Sequence, residues 1–238
     1  KIMEDQMFLD CFGCDIDYSL GKNFADFADQ FSKDSRYRTE LYKLRRKFMS
    51  HADGLIHADL HTSNILASRD EMKVIDMEFA FMGPFGYDLG YLVGNLISQY
   101  CAACFKRFPS EQNRKQFKAY LLATIKSLIE TYMKTFTLCW ERSVKERYRG
   151  QQGLLQSILQ EVMVDMPGYA SMVNWFRSVS DIPYPDFDVI ENKDAKRNAT
   201  VLSLMIDWGI MFGRYKYQSA DDLIETIIGI EEEFRKSL

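Results

Sequence analysis

The chain has 238 residues, 47% of them apolar and 27% charged, which is the composition of an ordinary globular protein able to bury a core. Its net charge of -4, without a stripe of basic residues interleaved with aromatic ones, argues against a nucleic-acid partner. Because no apolar run approaches the roughly 20 residues that span a bilayer and the five cysteines are an odd number, we expect a cytoplasmic protein with reduced thiols and no membrane partner.

Apolar residues at helical spacing predict a mainly α-helical chain. The spacing occurs in residues 24–31, 41–48, 89–100, 117–132 and 154–162. We expect the last of these helices to end at Pro167-Gly168. The stretch 180–193 holds two prolines among aspartates and predicts a surface loop. Two final helices should follow, at about 195–215 and 220–234.

Between the second and third of these helices, two short apolar runs predict a β-hairpin. Residues 65–67 and 73–75 are long enough for two small strands, and residues 68–71 have the composition of the loop between them. A hairpin returns the chain to the place where it began. We therefore expect this one to bring Asp76 beside the loop that carries Asp59 and Asn64.

The residues around this hairpin have the spacing of a phosphoryl-transfer site. Asp59 lies two positions after His57 and five before Asn64. Such a site needs a carboxylate that orients the acceptor hydroxyl, which predicts Asp59. It also needs oxygen donors for magnesium, which predict Asn64 and Asp76, with Glu78 as a third. The alternative, in which Asp59 only caps a loop, leaves the coincidence of the whole spacing unexplained.

A glycine-rich stretch at residues 83–90 leads into the next predicted helix. It does not have the strand-to-helix glycine pattern of a dinucleotide-binding turn, so we interpret it as an irregular loop. Two roles are open for Asp88, the N-cap of that helix or an acceptor for backbone amides that keeps Asp59 in place. His57 should brace the loop backbone, and His61 either hydrogen-bonds within the loop or faces the substrate.

Paired cysteines raise the alternative of a structural zinc site. Cys11 with Cys14, and Cys101 with Cys104, both have the spacing of zinc ligands. However, Cys101 and Cys104 end an amphipathic helix, where small apolar residues are expected. Neither pair has the flanking turns of a zinc knuckle, so we do not expect zinc.

Two stretches of the sequence resemble 5-methylthioribose kinases. One runs from Leu55 to Thr62 and contains His-x-Asp-Leu-His. The other runs from Val74 to Gly90 and contains Asp-x-Glu-Phe-Ala-Phe-x-Gly-Pro-x-Gly-x-Asp. The first motif is shared with aminoglycoside and choline phosphotransferases, which are small-molecule kinases with the two-lobed protein-kinase fold. The second motif narrows the resemblance.

The resemblance implies a fold, a reaction and roles for the motif residues. The fold is the helical C-terminal lobe of a protein-kinase-like α+β enzyme, with a small β-hairpin at the catalytic loop. The reaction moves the γ-phosphate of ATP, with magnesium, onto the 1-hydroxyl of methylthioribose in methionine salvage. Asp59 corresponds to the catalytic base, Asp76 and Glu78 to magnesium ligands, and Asp88 to a support of the loop.

Departures from the family pattern leave the acceptor open. The segment from Ile210 to Tyr215 resembles the substrate-binding region, where two adjacent arginines are expected, but only Arg214 is present. We predict His61 and Arg214 as substrate-binding residues. Two alternatives remain: a phosphotransferase of this fold that acts on an aminoglycoside, choline or another sugar, and a non-catalytic kinase-like binding module.

The part of the chain before His57 lacks a kinase N-lobe. It has neither a glycine-rich phosphate loop nor the strand-borne lysine that holds the nucleotide phosphates. We therefore expect residues 1–22 to be a linker after the hinge between lobes and residues 23–238 to be the helical catalytic lobe, with little kinase activity by itself. The expected partners are a small sugar and ATP, and a homodimer is left open.

Overall fold

The computed structural model describes residues 2–9, 22–179 and 184–238 and is mostly helical, as predicted. Helix α1 (Ile2–Glu4) continues as a π-helical stretch (Asp5–Leu9). The other helices of the described residues, in chain order, are α2 (Lys22–Lys33), α3 (Ser35–Ser50), α4 (Gly86–Phe105), α5 (Glu111–Ser143), α6 (Gln152–Val179), α7 (Pro185–Asp188), α8 (Lys193–Gly213) and α9 (Ala220–Ser237). Among the described residues, no helix has the length and apolar character needed to cross a membrane.

Four strands of three residues form two antiparallel pairs. They are β1 (Gly54–Ile56) with β4 (Phe81–Gly83), and β2 (Ile65–Ala67) with β3 (Met72–Val74). The predicted hairpin is confirmed, with its second strand one residue earlier than expected. Ile65 lies opposite Val74, and Ser68 N closes the turn by donating to Glu71 O at 2.8 Å. The pairing of β1 with β4 was not predicted, and it joins the two ends of the segment that contains the hairpin.

Helix α4 packs closely against α6 through glycines. A Cβ atom added at Gly90 would lie 2.6 Å from Met166 O, and one added at Gly94 would lie 2.6 Å from Ala170 O. Real side chains do not tolerate such short contacts, so glycine is what allows the two backbones to approach. This packing fixes the position of α4 beside the loop that follows β1.

We expect Gly90→Ala to lower the free energy of unfolding by about 1–3 kcal/mol, because the new methyl group would force α4 and α6 apart. Gly229→Ala is a matched control on α9, where nothing lies within 4 Å of an added Cβ atom. There the higher helix propensity of alanine should raise stability by about 0.5–1 kcal/mol. Urea unfolding followed by circular dichroism measures both changes. If Gly90→Ala proved as stable as Gly229→Ala, the close packing of α4 and α6 would be contradicted.

The hydrophobic core has two parts. One lies among α4, α5, α6, α8 and α9, and it contains Cys101 and Cys104 as buried free thiols. The other lies among α1, α2, α3, α4, α6 and α8 and is rich in aromatic side chains, with the rings of Phe31 and Trp175 stacked at 4.8 Å. Cys11 and Cys14 lie outside the described residues.

The predicted end of α6 at Pro167 is wrong, because the helix continues to Val179. A proline inside a helix removes one backbone hydrogen bond and favours a break. Here Pro167 and Gly168 are buried, and a Cβ atom at Gly168 would lie 2.6 Å from the side chain of Leu44 in α3. Packing against a neighbouring helix thus outweighs the local preference of the chain.

The predicted surface loop at 180–193 is wrong in part. It contains α7, and two of the four residues in that helix, Asp186 and Phe187, are buried. Phe187 packs into the core, and Asp186 forms an ion pair with Arg177 of α6, so this turn is held against the body of the molecule. Residues 180–183 of the prediction lie outside the described part of the chain.

Candidate active site

The loop after β1 carries His57 and Asp59, and a carboxylate of α4 holds its backbone. Asp88 accepts hydrogen bonds from His57 N at 2.6 Å and from Ala58 N at 2.9 Å. Because α4 begins at Gly86, Asp88 lies in its first turn, and the N-cap alternative is wrong. Burial raises the pKa of Asp88, against the two backbone hydrogen bonds that lower it. Ala58 has a φ of 69°, a left-handed conformation that glycine adopts more easily.

Asp59 is fixed at both its backbone and its side chain. Its carbonyl oxygen accepts hydrogen bonds from His61 N at 2.9 Å and from Asn64 Nδ2 at 3.1 Å. Its N–H donates to His57 Nδ1 at 3.3 Å. In the carboxylate, Oδ1 accepts a hydrogen bond from Tyr91 OH at 2.8 Å, and Oδ2 lies 3.6 Å from His61 Nε2. One carboxylate oxygen is therefore bound to a phenol while the other is not.

The hairpin connects Asp76 to the same loop. Ile75 N donates to Asn64 O at 3.0 Å, and Ile75 O lies 2.8 Å from His57 Nε2. Asp76 is the next residue, with a φ of 67°, and Glu78 follows within a short 3-10 turn (Met77–Phe79). The structure thus brings the end of the hairpin to the loop that carries the predicted base.

Asn64, Asp76 and Glu78 offer the hard oxygen donors that magnesium prefers. Asp76 and Glu78 are exposed, and neither carboxylate is paired with a cation or a hydrogen-bond donor among the described residues. Among the described residues, no three or more histidine, cysteine, aspartate or glutamate side chains lie close enough together to hold a metal ion by themselves. Two open carboxylates and an amide suit an ion that takes its other ligands from nucleotide phosphates.

Asp59 borders a cavity of about 480 Å³ whose lining also includes Arg177, Tyr184 and Asp186. Arg177 Nε donates to Asp186 Oδ2 at 2.6 Å, and the Arg177 guanidinium lies 4.4 Å from the centre of the Tyr184 ring. Asp186 is 3% exposed and also accepts a hydrogen bond from Gln99. Asp186 thus balances the charge of Arg177 and fixes its orientation at the cavity wall.

Arg214 lies elsewhere, in the interior between α3 and α6. Its side chain is 2% exposed, and its Nη2 donates to Glu40 Oε2 at 2.8 Å. Its Nη1 donates to Val164 O at 3.2 Å and lies 3.7 Å from Asp165 Oδ1. Of the two residues predicted to bind substrate, the structure brings His61, and not Arg214, to the cavity beside Asp59.

Sequence reasoning missed two residues of this site, Arg177 and Tyr91. Tyr91 follows Asp88 by three positions in a predicted helix, so the two side chains share a face, and this spacing could have revealed it. Arg177 gives a weaker signal, a single cation in the last turn of a largely apolar helix. It reaches the cavity because α6 continues past Pro167.

Known proteins resemble this chain along nearly all of its length. Residues 17–128 match a model of the phosphotransferase enzyme family. A methylthioribose kinase of Geobacillus thermodenitrificans is 32% identical over 235 residues, which are 97% of this chain and 56% of the relative. Methylthioribose kinases of Geobacillus kaustophilus and of Bacillus cereus (strain B4264) are 33% and 29% identical, each over 93% of this chain and over 54% and 53% of the relatives.

The chain spans about half the length of the curated relatives it matches. The similarity nevertheless covers 93–97% of this chain and so extends well beyond the motifs around Asp59. These findings confirm the resemblance predicted from the motifs: residues 17–128 match a model of the phosphotransferase enzyme family, and the chain as a whole is similar to methylthioribose kinases.

Proposed function

We propose that this chain is the catalytic part of an ATP-dependent kinase that phosphorylates the 1-hydroxyl of methylthioribose, a step of methionine salvage. The observation that carries the proposal is the position of Asp59, a fixed carboxylate at the edge of a cavity, joined by the hairpin to two exposed carboxylates. The sugar is inferred from the similar proteins, which are methylthioribose kinases. In this proposal, residues 23–238 form the helical C-terminal lobe of a protein-kinase-like fold.

In the proposed reaction, Asp59 orients the acceptor hydroxyl and accepts its proton. The hydroxyl oxygen forms a bond to the γ-phosphorus of ATP, the bond from that phosphorus to the bridging oxygen breaks, and ADP leaves with the electron pair. Asn64, Asp76 and Glu78 would hold magnesium, which neutralises phosphate charge when bound. Asp88 keeps the loop in place, so the acceptor meets a base that is already oriented.

On the acceptor side, we propose Arg177 in place of Arg214. The two η nitrogens of Arg214 already donate to Glu40, Tyr215 and the Val164 carbonyl, whereas Arg177 lines the cavity of Asp59. Since Asp186 already balances the charge of Arg177, this wall suits a neutral polyhydroxyl ligand better than a cation such as choline. His61 borders the same cavity and completes the proposed acceptor side.

The test uses the full-length natural protein that contains this chain, with magnesium and ATP. We expect it to phosphorylate methylthioribose and to leave choline and kanamycin unchanged, as measured by coupled detection of ADP. Turnover of a cationic acceptor without turnover of methylthioribose would contradict the proposed substrate. If all three acceptors fail and magnesium-ATP does not raise the Tm, a non-catalytic binding module becomes the better account.

Arg177→Gln in that protein should raise the acceptor KM by about tenfold or more, since a hydrogen bond from a charged donor contributes about 1.5–3 kcal/mol. Arg197→Gln is the matched control, because Arg197 is a half-exposed arginine of α8 that pairs with the exposed Asp194. Initial rates at varied acceptor concentration measure the effect on KM. Circular dichroism checks that the variant is still folded, since Asp186 loses its ion pair with Arg177. An unchanged KM in folded Arg177→Gln would exclude Arg177 from acceptor binding.

A further inference from the structure

One hydrogen bond of the site joins Asp59 to a residue outside the kinase motifs. Tyr91 OH donates to Asp59 Oδ1 at 2.8 Å. Asp59 Oδ2 lies 3.6 Å from His61 Nε2, which is beyond hydrogen-bond distance. The two carboxylate oxygens are therefore not equivalent, since one has a fixed donor and the other remains available to a ligand in the cavity.

Tyr91 is held in a fixed position by the helix that carries it. It follows Gly90, where α4 packs against α6, and its side chain is 6% exposed, with its ring centre 6.0 Å from that of Tyr87. Asp88, three residues earlier, holds the backbone of the same loop. One turn of α4 thus contacts both the backbone and the carboxylate of the catalytic loop.

The Tyr91 hydroxyl keeps its proton and acts as a donor. Burial raises the pKa of Tyr91 well above its ordinary value, and the nearby Tyr87 and the negative charge of Asp59 act in the same direction. A phenol that stays protonated can donate to a carboxylate throughout the physiological pH range. Hydrogen bonds to an ionised acceptor are stronger and better oriented than those between neutral groups.

We infer that Tyr91 is a positioning residue for phosphoryl transfer, because its hydroxyl fixes the Asp59 carboxylate so that Oδ2 meets the acceptor hydroxyl. The inference rests on the proposed kinase function. Phosphoryl transfer depends mostly on how the nucleophile is aimed, so a carboxylate free to rotate would spend less time in the productive orientation. The proton that Asp59 takes comes from the acceptor, and the phenol proton stays on Tyr91.

Kinetics of the full-length protein give the first test. Tyr91→Phe should lower kcat about tenfold and change the KM values of ATP and acceptor by less than about twofold, because orientation matters most in the transition state. Tyr169→Phe is the matched control, a buried tyrosine of α6 whose hydroxyl donates to Leu44 O at 3.1 Å. It should keep the wild-type kcat. An unchanged kcat in Tyr91→Phe, or an equal fall in both variants, would overturn the inference.

A second measurement does not depend on turnover. In the same protein with carbon-13 in the aspartate carboxyl groups, the NMR signal of Asp59 is identified by its loss in Asp59→Asn. It should move in Tyr91→Phe and stay in place in Tyr169→Phe. A signal that stays in place in both variants would overturn the inference even if the sugar is phosphorylated. If the signal moves in Tyr91→Phe, the contact between Tyr91 and Asp59 is supported. If the wild-type protein at the same time phosphorylates no acceptor, the proposed function is contradicted while the contact stands.

Discussion

Replacing Asp59 with alanine is expected to reduce kcat of the full-length protein by about 10²–10⁴-fold, the range that a positioned general base contributes. Asp59→Asn is the sharper variant. It keeps the size of the side chain and can still accept the hydrogen bond from Tyr91, but it cannot take the acceptor proton. Both variants should be nearly inactive when ADP release is followed at saturating ATP and acceptor.

Two controls separate the loss of this base from a loss of fold or of nucleotide binding. Asp70→Asn removes an exposed acid of the hairpin turn and should leave kcat unchanged. Magnesium-ATP should still raise the Tm of Asp59→Asn, because the proposed metal donors are other residues. If Asp59→Asn keeps more than about a tenth of the wild-type kcat, then another group accepts the proton and the assignment of Asp59 is wrong.

Arg214→Met should lower the free energy of unfolding by about 3–5 kcal/mol, the usual cost of removing one partner of a buried ion pair. Arg214 is 2% exposed and Glu40 is 11% exposed in their side chains, and the two are joined at 2.8 Å. Tyr215 OH also donates to Glu40, at 2.5 Å. Without Arg214, both Glu40 and Asp165 lose a cation inside the protein. Urea unfolding at pH 7 measures the change.

The effect of Arg214→Met should depend on pH through Glu40. Burial acts to raise the pKa of Glu40, but hydrogen bonds from Lys43, Tyr215 and Arg214 outweigh it and lower the pKa to about 2. Glu40 therefore contributes stability above its unfolded pKa of 4.5, and this is lost as the pH falls towards 2. The difference between wild type and variant should shrink over that range. Asp165 acts in the same sense on this difference but at higher pH, since burial raises its pKa despite Lys47 and Arg214 and its protonated form no longer needs the arginine.

Arg197→Met is the matched control for this experiment. Arg197 lies on α8, the helix that leads to Arg214, and it pairs with Asp194 at the surface, where such pairs contribute about 0–1 kcal/mol. The free energy of unfolding of Arg197→Met should stay within about 1 kcal/mol of the wild-type value at every pH. If Arg214→Met were no less stable than Arg197→Met, the buried pair would not hold α3, α6 and the end of α8 together.

The parts of the fold that could be predicted are those set by local patterns. The hairpin at Ile65–Ala67 and Met72–Val74 follows from two short apolar runs around a polar turn, and most helices follow from apolar spacing. Pro167 shows the limit of this reasoning. Its local preference is for a helix end, but the neighbours that bury it come from distant parts of the chain. No local pattern encodes those neighbours.

The candidate site shows the same division. The spacing of His57, Asp59 and Asn64 places them in one short loop, and the hairpin adds Asp76, so the motif residues could be grouped from sequence. The arginine that lines the cavity, Arg177, could not be predicted in this way. Arg214 and Arg177 each lie at the end of a long helix, and which of them faces Asp59 depends on how α6 and α8 pack, a property of the whole fold.

The two sides of this site have supports of different stiffness. Asp59 is tied to α4, whose backbone is locked against α6, whereas Asp76 and Glu78 follow a two-stranded pair in which all three residues of β3 are exposed. Short isolated strand pairs with few buried contacts open at low free energy, and packed helices do not. Opening of the hairpin would therefore displace Asp76 and Glu78, the proposed metal donors that follow it, while Asp59 keeps the position that α4 gives it.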